Sequence, residues 1–327
     1  MRLITYTVDG STKLGAWIEG DLLIADLAAA ALAEKVDLVP FSSMQALIEA
    51  GPIYWDIAKS LVSGAAGSSS TLKTEDVVLR SPLPRPPHIR DCISFEQHLR
   101  NATQSSITLM CQAAPDPEAM RRKIEESGAA EFPEVWWKRA IYYNANPFTV
   151  SDPGVDIRCP SYCKLMDYEL EFAAIIGKAG HDIARDEAAD HIFGYTIYND
   201  WSARDEQLLV MSGKLGPGKG KDFDQSITLG PCIVTADALE DPYNLTMTAR
   251  VNGEEWSRGS SSTMYHQFPD LIADLTRSQG IYPGEVLGSG TVGMGSGLES
   301  LRFLKNNDVV ELEVEGLGIL RNRVVMQ

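Results

Sequence analysis

Asp167-Tyr168-Glu169-Leu170-Glu171-Phe172-Ala173-Ala174-Ile175-Ile176 is the stretch on which the reading of this chain turns. In a strand, Glu169 and Glu171 point to one face and Tyr168, Leu170 and Phe172 to the other. Two carboxylates side by side repel, and burying them without a cation or protons is costly. A solvated face on an edge strand would carry the same pattern, so this stretch alone leaves both readings open. Downstream, the strand-like Phe193-Gly194-Tyr195-Thr196-Ile197-Tyr198-Asn199 ends in Asp200-Trp201-Ser202-Ala203-Arg204-Asp205. Asp200 suits either a carboxylate aimed at a ligand or the N-cap of a following helix. Upstream, Arg90-Asp91-Cys92-Ile93-Ser94-Phe95-Glu96-Gln97-His98 contributes one of five histidines. A lone His is commonly structural or exposed, and Asp91 has Arg90 and Arg100 nearby as ordinary partners.

Strand-like runs at 168–177, 193–199, 228–235, 245–252 and 308–314, with a helix at 268–278, dominate the second half. They predict a mixed, β-rich α+β fold and not a doubly wound sheet. The opening predicts a hairpin of strands 2–8 and 14–18 around Asp9-Gly10-Ser11, then helices over 26–36 and 43–62. Ser42 and Ser43 are placed to cap the second helix. The linker-like Gly64-Ala65-Ala66-Gly67-Ser68-Ser69-Ser70 and the proline crossing 81–87 place a boundary between 64 and 87. The expected division is a small N-terminal α/β domain over 1–75 and a catalytic domain over 76–327. Residues 99–140, polar and interrupted by proline, are expected to form a mobile lid.

The 327 residues carry a formal net charge of −16, which argues against nucleic acid and anionic membranes as partners. A small anionic substrate remains compatible, because a metal and a few cations reverse the sign locally. The five cysteines form no CxxC pair, as expected of thiols in a reducing compartment. The N-terminus lacks a signal-like apolar run, and the most apolar stretch, 22–38, is interrupted by Asp26, Glu34, Lys35 and Asp37. The expected location is the cytoplasm.

Taken together, these motifs resemble the fumarylacetoacetate hydrolase family over about residues 85–327. The matching pieces occur in order: Asp91 through Gln97-His98, the paired-glutamate strand, and Gly194-Tyr195-Thr196 through Asp205. Gly220-Lys221-Asp222-Phe223, Leu229-Gly230-Pro231 and Gly290-Thr291-Val292-Gly293 follow. The resemblance implies a rolled β-sheet catalytic domain and a homodimer. It implies Asp91, Glu169, Glu171 and Asp200 as ligands of one hard cation, Mg²⁺ first, with Mn²⁺ or Ca²⁺ as alternatives; an all-oxygen set suits these better than Zn²⁺. His98 resembles the general base, with an acidic partner from Gly297-Leu298-Glu299. Arg204, Gln207 and Lys221 are similar to residues that hold substrate oxygens and developing charge, Lys221 also acting in catalysis, and Thr291 resembles a substrate-contacting hydroxyl. Two substrate-contacting tyrosines of the founding enzyme are missing, with Ile93 in one place and Met211 or Ser212 near the other. The first expectation is hydrolysis of a carbon–carbon bond in a β-diketone or acylpyruvate-like acid, by His98-activated water with an enolate leaving group stabilised by the cation. An oxaloacetate-type decarboxylase or keto–enol isomerase is the alternative, and a non-catalytic metal-bound binding protein is the alternative of another class.

Two glycine-rich runs invite other readings. Gly288-Ser289-Gly290-Thr291-Val292-Gly293 spells a dinucleotide fingerprint, but Met294-Gly295-Ser296-Gly297 after it is a poor start for the long helix needed. Gly213-Lys214-Leu215-Gly216-Pro217-Gly218-Lys219-Gly220 lacks the Ser or Thr of a phosphate loop and reads as a surface loop or a substrate loop delivering Lys221. The cluster Trp136-Trp137, Tyr142-Tyr143 reads as core or dimer contact.

Overall fold

The computed structural model describes residues 1–68 and 70–326, so Ser69 of the expected linker lies outside the described residues. Strands β1 (Arg2–Val8) and β2 (Ser11–Ile18) are joined through Asp9 and Gly10, both at positive φ. Such a turn twists in the same sense as its strands, which favours Asp-Gly. Next come β3 (Leu23–Asp26) and α1 (Leu27–Ala33), whose N-cap Asp26 accepts from the Ala29 N–H. The single helix expected over 43–62 is two, α2 (Met44–Ala50) and α3 (Pro52–Gly64). Gly51, at φ 81°, ends the first, and Pro52, lacking an N–H, opens the second. Ser43 caps α2 by accepting from the Ala46 N–H at 3.1 Å. Strands β4 (Thr71–Lys73) and β5 (Val78–Arg80) lead to the proline crossing.

Beyond it lie β6 (Ile89–Cys92), the helical pair α4 (Glu96–Ala113) and α5 (Pro117–Glu126), and β7 (Tyr142–Ala145), β8 (Val150–Ser151) and β9 (Asp156–Arg158). The middle of the chain holds β10 (Met166–Asp167), β11 (Leu170–Ile176), β12 (Gly180–His181), β13 (Ile192–Asp200), β14 (Ser202–Ala203), α6 (Arg204–Met211) and β15 (Ile227–Thr235). The remainder is β16 (Thr246–Val251), β17 (Glu254–Ser260), α7 (Phe268–Leu275), β18 (Gly280–Ile281), β19 (Val286–Gly288), α8 (Gly297–Ser300), β20 (Val309–Val314) and β21 (Gly318–Val325).

A twelve-stranded sheet runs β4-β3-β2-β1-β15-β13-β11-β19-β6-β7, with β5 beside β1 and β8 beside β15. β1 meets β15 through Arg2 opposite Val234 and Leu3 opposite Ile233, so residues 1–75 share a sheet with the rest of the chain. β11 lies between β13 and β19 with every residue buried, and Glu169 just before it is buried as well, which removes the solvated edge-strand reading of the two glutamates. One face of the large sheet packs on the five-stranded sheet β17-β16-β20-β21-β9, with Phe172 and Ile197 against Met247, Leu312 and Val324. The other face buries Leu3, Ala173 and Ile175 beneath Leu27, Leu47 and Leu61 of α1–α3. Each of the leucines and isoleucines among them contributes roughly 1.5–3 kcal/mol. The architecture is therefore β-rich α+β, as the strand pattern predicts. α4 and α5 pair over their own small cluster of Ile107, Cys111 and Ile124. Among the described residues the five cysteines are free thiols, and no helix is long and apolar enough to cross a membrane.

Candidate metal centre and active site

Three carboxylates converge at one end of the large sheet. Asp91 comes from β6, Glu171 from β11, and Asp200 is the last residue of β13. Asp200 is not a helix cap; Ala203 holds that position before α6. Between β6 and β11 runs β19, with Gly288 paired to Asp91 on one side and Ala173 on the other. A Cβ at Gly288 would strike Asp91 Oδ1, so glycine here makes room for the carboxylate. One ligand atom from each of Asp91, Glu171 and Asp200 lies within 4.8 Å of the other two, and all three residues are buried.

The donor set fits a hard divalent cation. Asp91 Oδ1, Glu171 Oε2 and Asp200 Oδ1 are buried oxygens with no protein donor, an expensive arrangement unless a cation or protons complete it. Burial, then the Asp200 charge, pushes the Asp91 carboxyl well above its ordinary range. Burial and then Asp91 do the same to Glu171, while burial raises Asp200 against the opposing pull of Lys221. With oxygen donors only and no imidazole or thiolate among them, the group suits Mg²⁺, Mn²⁺ or Ca²⁺ chemistry.

Glu169, expected as a fourth ligand, stands outside that group. Its Oε2 accepts from Lys221 Nζ at 2.5 Å, and its Oε1 lies 2.7 Å from Arg204 Nη2 without hydrogen-bond alignment. Burial works to raise its pKa, but Arg204 and Lys221 win and hold the carboxyl below the ordinary range. Lys221 also donates to Asp200 Oδ2 at 2.6 Å and to the Asp200 carbonyl at 3.3 Å. Burial opposes its charge, yet Asp200 and Glu169 keep its pKa raised. With three donors and three protein acceptors, Lys221 has none left for the oxyanion role expected of it. Arg204 donates from Nε to Asp167 Oδ2 at 2.8 Å and from Nη1 to Gln207 Oε1 at 3.0 Å. Thr291 donates to Glu171 Oε1 at 3.2 Å. Arg204, Lys221 and Thr291 therefore meet buried carboxylates, which need partners, whereas Gln207 meets Arg204.

His98, on the first turn of α4, meets Glu299 of α8: Nδ1 lies 2.8 Å from Glu299 Oε1. A carboxylate only accepts, so Nδ1 carries the proton and Nε2 of the neutral ring presents its lone pair. Nε2 lies 3.9 Å from Glu169 Oε1, which turns the base toward the carboxylates. Two participants escaped the sequence reading of the site. Tyr143, placed with an aromatic cluster, donates its hydroxyl to Asp200 Oδ2 at 2.8 Å; Trp136 of the same cluster is a buried core residue. Asp167 binds the N–H groups of Gly297 and Leu298 at 2.8 and 3.0 Å as well as Arg204, tying α8 to the glutamate strand. Its position beside Glu169 was the one signal available. The dinucleotide reading of 288–293 fails structurally, since only the four-residue α8 follows.

Comparison with known proteins bears on the family and the fold. A family model, the fumarylacetoacetate (FAA) hydrolase C-terminal domain, matches residues 115–325, starting beyond Asp91 and His98. An oxaloacetate tautomerase of Bacillus subtilis is 32% identical over 203 residues, 62% of this chain and 65% of that protein. The human mitochondrial oxaloacetate tautomerase is 37% identical over 189 residues, 58% of this chain and 60% of that protein. The matched segment thus spans less than two thirds of the length of either relative. Among solved structures, a fumarylacetoacetate hydrolase from Exiguobacterium antarcticum superposes with a TM-score of 0.73 at 24% identity, covering 100% of both chains. A maleylpyruvate hydrolase from Sphingobium, solved with manganese(II) and pyruvate, gives 0.70 at 21% identity over 100% of this chain and 99% of that one. At these identities the two structures speak for the fold, and with the family match and the converging carboxylates they lead to one statement: the chain belongs to the fumarylacetoacetate hydrolase family.

Proposed function

We propose that this protein is a divalent-metal-dependent keto–enol tautomerase of oxaloacetate or a closely similar β-keto dicarboxylic acid. The observation that carries the reading is a cation-ready carboxylate group together with a His98–Glu299 dyad whose Nε2 lies 3.9 Å from Glu169, two residues from Glu171. The naming of the relatives as oxaloacetate tautomerases favours this activity over the carbon–carbon hydrolysis expected first. Asp91, Glu171 and Asp200 would hold Mg²⁺ or Mn²⁺, which polarises the keto oxygen and acidifies the adjacent C–H when bound. Tautomerisation then needs one group that takes a proton from carbon and returns one to oxygen. His98 Nε2 is that group, and Glu299 stabilises the ring in its protonated form. Lys221 and Arg204 hold Glu169 and Asp200 in place. No water attacks and no bond between carbons breaks, so the proton count balances within the substrate and His98.

The test follows enol absorbance of oxaloacetate at saturating Mg²⁺ or Mn²⁺, with pyruvate release and acylpyruvate cleavage measured in parallel. The wild type should speed enol–keto equilibration beyond metal alone, and His98→Gln should lower that rate by at least ~100-fold, the lower end of general-base effects. A protein that leaves equilibration at the metal-only rate, or that cleaves acylpyruvate faster than it equilibrates oxaloacetate, is not a tautomerase of this kind.

A further inference from the structure

Three residues of α4 converge on Glu299. His98 Nδ1 meets its Oε1 at 2.8 Å, Asn101 Nδ2 donates to its Oε2 at 3.0 Å, and Ser105 Oγ approaches its backbone carbonyl at 3.5 Å. Positions 98, 101 and 105 recur at i, i+3 and i+7, which sets them on one face of the helix. Glu299 also accepts from the Met294 N–H at 2.8 Å on Oε2 and from Ser296 Oγ at 3.3 Å on Oε1. Met294 presents that N–H from a left-handed backbone, φ 63°, unusual for a side chain of its kind. Asn101 Nδ2 also lies 3.3 Å from the Met294 sulfur, so the one amide group meets both the outer carboxylate oxygen and the residue whose N–H donates to it. The side chain of Glu299 is 0% exposed.

We infer that Asn101 is a positioning residue for the base: by holding the outer oxygen of Glu299, it sets the direction from which the inner oxygen meets His98. The inner oxygen alone would leave the carboxylate free to swing about its terminal bond, which is a broad, weakly restrained torsion. The Met294 N–H and the Asn101 amide fix that swing from two directions. Asn101 and His98 ride on the same helix, so docking of α4 on α8 seats the base and its aligner together. A carboxylate fixed in this way selects the tautomer with the proton on Nδ1 and leaves Nε2 as the acceptor. Asn101 touches neither the three converging carboxylates nor any group assigned to substrate. Its removal should therefore act on the base and not on the metal.

The kinetic part of the test rests on the tautomerase reading, whereas the spectroscopic part does not. Asn101→Leu keeps the branched heavy-atom outline and removes the donor, Asn101→Ala removes both, and Asn101→Asp sets a second carboxylate against Glu299. In substrate-free protein, ¹⁵N NMR of the His98 ring should show the Nδ1-protonated tautomer in the wild type. A mixture of tautomers should appear in Asn101→Leu, Asn101→Ala and Asn101→Asp. In the oxaloacetate assay, kcat should fall about tenfold in Asn101→Leu, a fraction of the ~100-fold expected when the base is lost. KM and the Mn²⁺ affinity by calorimetry should stay within about twofold. A tautomer ratio unchanged in all three variants would overturn the inference. Loss of Mn²⁺ affinity matching the loss of kcat would overturn it as well. A wild type that fails to equilibrate oxaloacetate, yet shows the tautomer shift on substitution, would reject the activity and keep the positioning role.

Discussion

Replacing Glu171 by Gln should have opposite effects with and without metal. Asp91, Glu171 and Asp200 bring ligand oxygens within 4.8 Å of one another. Two unit charges at that separation repel by roughly 3.5 kcal/mol at an effective dielectric of ~20. Without a cation the cluster relieves this by holding protons, the state that burial and the Asp91 charge favour at Glu171. Gln removes one charge, keeps the shape and adds a donor that can face Asp91. In chelator at neutral pH the variant should be as stable as the wild type or more so. With metal at 100 times its dissociation constant the wild type gains about 2.7 kcal/mol. Spread over the unfolding entropy of a chain this long, that is a rise of about 4 °C in the melting midpoint. The variant should lose that rise. Scanning calorimetry of both proteins in EDTA and in graded MgCl₂ or MnCl₂ separates the two effects. A variant that keeps the whole metal-dependent rise would refute the assignment of Glu171 as a ligand. One that is several kcal/mol less stable in EDTA would show that its charge is held for structure instead.

Three further outcomes follow from the same geometry. Asp91 and Glu171 have folded-state pKa values raised above their unfolded ones, so their stabilising contribution is complete below the unfolded value and lost as pH rises through the folded one. Metal must displace those protons, and calorimetric titration across buffers of different ionisation enthalpy should show proton release on binding and an affinity that tightens as pH rises; a pH-independent affinity without release would contradict this. Tyr143→Phe removes the hydroxyl that donates to Asp200 Oδ2, and Mn²⁺ affinity should fall about tenfold, as is usual when the group orienting a ligand is lost; unchanged affinity would leave Tyr143 a packing residue. Helices α4 and α5 share only three fully buried apolar side chains, so their amides should exchange faster than those of β11 and slow when Mg²⁺ and oxalate are added, whereas full protection from the start would exclude a lid.

The glutamate strand was legible because alternation is a local property: Tyr168, Leu170 and Phe172 enter the core while Glu171 meets Asp91 and Thr291. Asp91, Glu171 and Asp200 come from β6, β11 and β13, which lie within four consecutive strands of the sheet, Glu169 immediately precedes β11, and the family resemblance ordered the four before the structure did. What stayed hidden depends on tertiary approach. Nothing near Tyr143 announces that its hydroxyl reaches Asp200, and nothing near Lys221 says that two carboxylates consume its donors. The break at Gly51-Pro52 was present in the sequence but outweighed by apolar periodicity on both sides. The pairing of β1 with β15 joins residues from distant parts of the chain, where composition carries no signal, and the proline crossing between them has the appearance of a seam.

That pairing has a consequence for anyone handling the protein in pieces. A fragment beginning at residue 76 would lack β1 to β4, leaving β5 without its partner and the Ile233–Val234 segment of β15 as a bare strand edge. The same cut would strip α1 to α3 from Ala173 and Ile175, turning the back of the glutamate strand into a wet apolar surface. Open edges and uncovered apolar faces recruit other copies of themselves. Such a fragment would be prone to clump before its metal chemistry could be measured, so shortened versions are better trimmed elsewhere than at the proline crossing.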